Sequence, residues 1–398
     1  MSVQKVLESQ VRDTKNLNAK YISDPNKIVE AKTRRPYVSR PFNALDRKPV
    51  LFSPYNITQY NTFDGKVNSS TTPTFGNLIT FKLQKNILDY CILASPLVTG
   101  TNTYANYTGM AIIERYRLLQ GSDEIFNWKY EDILYPIMKN LDAQELAQFV
   151  AIFGPVSGVA AAGTIYSLIA FPWSSWYDKD RVGTPIDLSA CEELTLEITF
   201  RAGANVVDTA VDTHAFSGPC QLISKTLSVE PSQREKIGSF IKFKGPDFNT
   251  SKETAIASTS GDISLIPLKG GRINRIYVYD RLAASIAANS SIYFINLDTA
   301  TASLLTIDND NFEKIASNKE YKIHKVMNNT KQLTTLGSPL VYEFAGLEYR
   351  GNILGFLNGV KLTDLNLNFT TAGTNSVHAV VEYNADYEVV DGLMKKQR

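Results

Sequence analysis

Short runs in which apolar and polar residues alternate recur along most of the chain. A period of two suits a half-buried β-strand and little else. In the first half these runs are FGNLITFKLQ (75–84), DYCILASP (89–96), MAIIERYRLLQ (110–120), EIFNWKY (124–130), TIYSLIAFPW (164–173) and LTLEITFRA (194–202). In the second they are FIKFK (240–244), DISLIPLK (262–269), RINRIYVYD (272–280), SIYFINLD (291–298), LVYEFAGLEY (340–349), KLTDLNLNF (361–369) and SVHAVVEYN (376–384). The 20 Tyr and 19 Phe, against 5 Met, agree with strands, because aromatic side chains pack well on a pleated surface.

Few helices interrupt this pattern. Asp142 stands three residues before Glu145, a capping-box spacing, and Leu146, Phe149, Val150 and Phe153 follow on one face, which predicts a helix lying against the strands. A second helix is expected near NFEKIASNKEY (311–321), and Val3, Val6, Leu7 and Val11 suggest a short amphipathic helix within residues 2–20. Pro36, Pro41, Pro49 and Pro54 deny regular ladders to residues 32–55, which therefore read as an extended arm. Strand-rich halves with long Gly-, Asn- and Thr-rich connections favour sandwiches with Greek-key or jelly-roll crossings, and the absence of a 20–50-residue period disfavours solenoids and propellers. The expected fold is all-β with a few short helices, divided into an arm (1–55), a first barrel (56–225) and a second barrel (226–398).

At 398 residues the chain can bury two cores, and its 43% apolar and 20% charged content suits a folded rather than a disordered protein. Cys91, Cys191 and Cys220 are too scattered for a disulfide framework or a zinc site and are expected to be buried thiols. No apolar run reaches the roughly 18 residues that span a bilayer. The first residues lack a signal-peptide core, which predicts assembly inside a cell. Net charge is +1, but residues 1–55 hold 11 Lys and Arg against 5 Asp and Glu, leaving 30 against 35 for the rest. A +6 arm on a −5 body suggests that the arm meets an anionic surface or a partner subunit, while the body repels nucleic acid.

The motifs of common chemistries are missing. GxSxG, HExxH, GxxxxGK[ST] and GxGxxG do not occur, and His214, His324 and His378 each stand alone in sequence. DNDNFE, with Asp308, Asp310 and Glu313, lacks the glycine and spacing of an EF-hand and reads as a solvated loop or helix start. Asp187 and Glu192 could be named as a glycosidase pair, but nothing in the sequence sets them across a cleft. Seven Asn-x-Ser/Thr sequences (Asn56, Asn68, Asn106, Asn249, Asn289, Asn328, Asn368) are expected by chance in a chain of this composition. No enzyme, cofactor or metal is indicated.

In TIYSLIAFPWSSWYDKDRVGTPIDLSACEELTLEITFR (164–201) an apolar strand ends in Phe171-Pro172-Trp173, and a turn region leads through Gly183-Thr184-Pro185-Ile186 into an alternating strand. Upstream, residues 110–134 run strand, glycine turn, strand and aromatic-acidic helix entry. Near the other end, Tyr342, Phe344, Gly351, Asn358, Tyr383, Asn384 and Gly392 fall in order through residues 339–394. In this order and spacing, over residues 75–394, the chain resembles the double jelly-roll major capsid proteins of tailless icosahedral DNA viruses.

That resemblance implies two tandem jelly rolls standing side by side, three copies forming a pseudo-hexagonal capsomer, and a virion protein that is not an enzyme. It further implies termini facing the shell interior, so that Lys27, Lys32, Arg34, Arg35, Arg40, Lys395, Lys396 and Arg398 become candidate inward contacts. Their partners would be neighbouring capsomers, minor capsid or penton proteins, or the anionic surface of an internal membrane, with no specific nucleic acid. The alternative is an adhesive or carbohydrate-binding β-sandwich of spike or fibre type.

Overall fold

The computed structural model describes residues 58–64, 72–98, 108–153, 163–177, 186–203, 206, 215–227, 242–252, 254–256, 261–268, 270–282, 300–315, 317, 319–320, 323, 339–344, 348–349, 352–353, 356–371 and 375–397. All of these residues fall within one compact unit, 52–398. The expected N-terminal helix, the proline-rich arm and the strand at 291–298 lie outside the described residues.

The first group of strands is β1 (Thr58–Asp64), β2 (Leu78–Lys82), β3 (Ile87–Leu97), β4 (Ile113–Gln120), β5 (Asp123–Lys129), β6 (Gly163–Ala170), the two-residue β7 (Ile186–Asp187), β8 (Leu194–Phe200) and β9 (Gln221–Leu227). The second is β10 (Lys242–Thr250), β11 (Thr254–Ile256), β12 (Gly261–Ser264), β13 (Arg272–Leu282), β14 (Ala300–Ile307), β15 (Asp310–Ile315) and β16 (Leu340–Glu343). It continues with three two-residue strands, β17 (Glu348–Tyr349), β18 (Asn352–Ile353) and β19 (Leu357–Asn358), and then β20 (Leu365–Thr371), β21 (Asn375–Val390) and β22 (Leu393–Gln397). The first half also carries helices α1 (Thr108–Ala111), α2 (Tyr130–Met138) and α3 (Ala143–Phe153), and in the second half Lys319, Glu320 and Ile323 are helical.

The sheets reveal one connectivity used twice. In the first half the main orders are β1-β9-β3-β6 and β2-β8-β4-β5; in the second they are β10-β21-β13-β16 and β12-β20-β14-β15. Counting the eight main strands of each half from one to eight, both halves read 1-8-3-6 facing 2-7-4-5, and every pairing is antiparallel. Eight strands in two four-stranded sheets with these crossings are a jelly roll. The protein is a double jelly roll.

The alternating runs form strands for the expected reason. Along β8, Leu194, Leu196, Ile198 and Phe200 are buried while Thr195, Glu197 and Thr199 are half-exposed. Helix α3 begins as its sequence predicts: the Glu145 N–H donates to Asp142 Oδ1 (2.8 Å) and the Asp142 N–H donates to Glu145 Oε2 (3.0 Å). Its Phe149 and Phe153 enter the core, with Leu146 and Val150 packed against it.

Three expectations change. Of the expected helix at 311–321, residues 311–315 are strand β15 and, among the described residues, only Lys319 and Glu320 are helical: Asp308 and Asn309, with φ of 51° and 66°, make a two-residue turn that folds β15 back on β14. In that turn Asp308 Oδ1 accepts from the backbone N–H groups of Thr363 (2.6 Å) and Asp364 (3.1 Å). The run 110–120 does not start as a strand, because Met110 and Ala111 close the short helix α1. In DISLIPLK the strand stops at Ser264 and a single 3-10 turn takes over at Ile266–Leu268, where Pro267 has no N–H to offer a ladder.

All three cysteines are buried free thiols. Burial pushes Cys91 and Cys220 up to about 12 and Cys191 up to about 11, from 9.0. An unfolded thiol ionises near 9.0, so above that pH the unfolded state loses protons that the folded state keeps, and stability falls as pH rises. The expected slope is about 1.4 kcal/mol per pH unit for each thiol above that point. Urea unfolding at pH 8 and pH 10 measures it; Cys91→Ala should flatten the decline, and equal stability at both values would contradict it.

Candidate functional site at the junction of the two barrels

The two jelly rolls share a core. Phe243, Phe248, Tyr277, Tyr279, Val380, Tyr387 and Met394 of the second barrel belong to the same buried cluster as the interior of the first. A separate cluster, including Ile276, Val278, Leu367, Phe369, Val381 and Tyr383, fills the second barrel's own interior. The sheet β10-β21-β13-β16 therefore has apolar residues packed on both faces.

Aromatic side chains interlock across the junction. Trp173, the end of the Phe-Pro-Trp run, meets Phe243 edge-on at 5.9 Å and stacks on Phe171 at 4.8 Å, and Phe243 in turn stacks on Tyr387 at 4.9 Å. Trp128 meets Phe248 at 5.3 Å, and Tyr135 meets Tyr277 at 5.9 Å. Beside them the backbones touch: a Cβ on Gly245 would collide with the Pro172 carbonyl, so only glycine allows β10 to lie this close to the first barrel.

Helix α2 is the polar centre of the junction, and all nine of its residues are buried. Glu131 receives Lys129 Nζ (2.8 Å) and Arg201 Nη2 (3.0 Å). Asp132 Oδ1 lies 2.9 Å from His378 Nε2 of β21, and its Oδ2 accepts from Thr250 Oγ1 of β10 (2.6 Å). Pro136 has no N–H to give the Asp132 carbonyl one turn back. The hydroxyl of Tyr279 from β13 donates to that carbonyl instead (3.1 Å), so a second-barrel side chain completes a first-barrel helix. Further along, Glu382 takes Arg275 Nη1 (3.0 Å) and the Tyr277 hydroxyl, while Arg275 Nη2 also reaches Glu343 (2.7 Å). Burial pushes the Tyr277 and Tyr279 hydroxyls well above the usual tyrosine range, with nearby Glu382 and Asp132 adding to it respectively. Both remain donors.

Among the described residues, Glu131, Asp132 and His378 are a group whose side-chain types and spacing could hold a metal ion. The cations Lys129 and Arg201 already neutralise Glu131, and both Asp132 oxygens have protein partners, so this chemistry is that of a structural network. Asp187 is likewise engaged locally, where its Oδ1 accepts from the Ser189 N–H (3.0 Å) at the start of a 3-10 turn.

Of the candidate basic contacts, Lys27, Lys32, Arg34, Arg35, Arg40 and Arg398 lie outside the described residues. Lys395 is exposed on β22, whereas Lys396 is half-buried and its ammonium lies 3.0 Å from Asp247, which also accepts from Trp128 Nε1 (3.0 Å). The sequence singled out the basic tail and the Phe-Pro-Trp run, but not the junction network. Asp132 and His378 are 246 positions apart and Trp128 and Asp247 119, so no local signal joins them.

No family model and no curated protein matches this sequence. Solved structures do. PBCV-1 VP54, fitted into a reconstruction of the virophage Sputnik, is similar over 86% of this chain and 97% of its own, with a TM-score of 0.64 at 10% identity. The Faustovirus major capsid protein gives 0.59 at 9% identity (85% and 92% covered), and the mavirus major capsid protein 0.55 at 10% (85% and 90%).

Two substitutions test the junction. Tyr279→Phe should cost about 1–3 kcal/mol by stranding the Asp132 carbonyl, and Pro136→Ala, which restores an N–H, should reduce that cost in a double-mutant cycle. Gly245→Ala should cost about 1–3 kcal/mol through overpacking against Pro172. Denaturant unfolding of the full chain reads all of them. Both the connectivity and the solved structures lead to one conclusion: this chain has the double jelly-roll fold, with its two barrels packed on a common core.

Proposed function

We propose that the protein is the major capsid protein of a tailless icosahedral virus and that its work is geometric. The observation that carries this reading is the repeated connectivity: one chain presents two barrels of identical strand order, held together by a shared core. Three such chains in a closed ring place six similar barrels around one axis, giving a six-sided outline from a threefold assembly. Closure requires a heterologous interface in which the first barrel of each copy meets the second barrel of the next. The fold likeness to the Faustovirus and mavirus major capsid proteins, over 85% of this chain, supports the same reading.

In this role the protein is a structural component of the virion shell, assembled inside the host cell, and not an enzyme. Its partners are further copies of itself and minor capsid or penton proteins. The basic arm (Lys27, Lys32, Arg34, Arg35, Arg40) with Lys395 and Arg398 faces the shell interior, where an anionic membrane surface would attract each basic residue by about 1 kcal/mol. Lys396 contributes less there, its charge being held on Asp247.

The test is the native mass of the purified chain by light scattering, with negative-stain imaging. The expected result is a particle of three times 44.2 kDa with a hexagonal outline. A stable monomer that binds glycans would overturn the reading in favour of the adhesive alternative.

A further inference from the structure

Strand β21 does not end with the second barrel. Its odd-numbered residues Val377, Ala379, Val381 and Tyr383 line the second barrel's interior, but from Ala385 on the odd-numbered Tyr387 and Val389 join the cluster that contains the first barrel's core. At about 3.3 Å per residue its 16 residues extend roughly 50 Å. The chain then turns at Asp391-Gly392, both with positive φ, and β22 returns antiparallel along β21 from Leu393↔Val390 to Gln397↔Asp386.

The tip of this hairpin is held by the first barrel. Gln120, the last residue of β4, donates from Nε2 to the Gly392 carbonyl (2.7 Å) and accepts the Met394 N–H on Oε1 (2.7 Å). One side chain thus imitates a rung of a β-ladder. The Glu192 N–H donates to the same Gly392 carbonyl (2.8 Å), and a Cβ on Gly392 would stand 3.3 Å from Glu192 Cγ. Met394 is buried in the cluster that contains the first barrel's core, and Lys396 reaches Asp247. Leu393, Lys395 and Gln397 are exposed.

The geometry points to β22 as a clasp: a separable element that locks the two barrels together when its turn seats on Gln120, and that can open while both barrels stay folded. Five residues with one buried side chain and a few anchoring bonds form a local unit far weaker than either core, and such units open independently of global unfolding. Closing the clasp requires β4 and Glu192 from the first barrel and β21 from the second, so the seated turn reports that both are in place. This inference is independent of the capsid reading.

Hydrogen exchange with mass-spectrometric readout on the full chain, in whatever assembly it forms, tests the clasp. The amides of 393–397 should exchange at least about 100-fold faster than those of 377–381. Gln120→Ala removes two hydrogen bonds and should accelerate 393–397 by about a further tenfold or more while leaving 377–381 unchanged. Gln120→Glu, which keeps the acceptor for Met394 and loses the donor to Gly392, should fall between. Equal exchange of the two segments in the unmodified chain, or acceleration of both together in Gln120→Ala, would overturn the inference by showing that β22 opens only when everything does.

Discussion

A β-sheet ordinarily keeps one face for its own core and gives the other to water, and in this protein the sheet β10-β21-β13-β16 has given up that choice. With both faces packed, each polar group on it must find a protein partner or leave a donor or acceptor stranded in a low-dielectric interior. The layout of the junction follows from that demand. Thr250, Tyr279 and His378 project from three strands of the sheet onto one helical turn, and Arg275 sits between Glu343 and Glu382. Burying such pairs adds little net stability, but breaking one is costly, so the network selects a single docking of the barrels more than it strengthens it.

How much of this was legible depended on whether the information was local. Where a strand has one wet and one dry face, as in β8, the alternation of Leu194, Leu196, Ile198 and Phe200 is readable directly, and the Asp142–Glu145 box announces α3. Strand β9 escaped notice because part of its buried face is small and polar: Ser224 and Thr226 lie inside beside Leu222, with Ser224 against the Cys91 thiol. Strand β15 read as a helix because it has little dry face. Phe312 and Lys314 are exposed and only Ile315 is buried, so no period of two survives, and the positive-φ turn that commits the segment to a hairpin falls on Asp-Asn rather than on glycine.

The junction was illegible for a different reason. Phe171-Pro172-Trp173 stood out as a motif, yet nothing near it in sequence says that Phe243 will meet Trp173 or that Gly245 will lie against Pro172. Pairings across about seventy residues or more are set by topology, and topology was reached through an ordered resemblance spread over both halves. That is consistent with similarity to solved capsid-protein structures at 9–10% identity. What survives such divergence is the order of the strands and the burial of their faces, because cores tolerate extensive exchange of apolar residues when pattern and volume are kept.

Strand β21 finally gives the molecule a mechanical character. Its inter-strand hydrogen bonds to β10, β13 and β22 lie across the strand axis, as in any antiparallel ladder. A tension applied along that axis would therefore load many bonds at once, in shear, instead of opening them singly like a zip. The longest of the described strands serves as a tie-rod, with stiffness along its length and compliance reserved for bending.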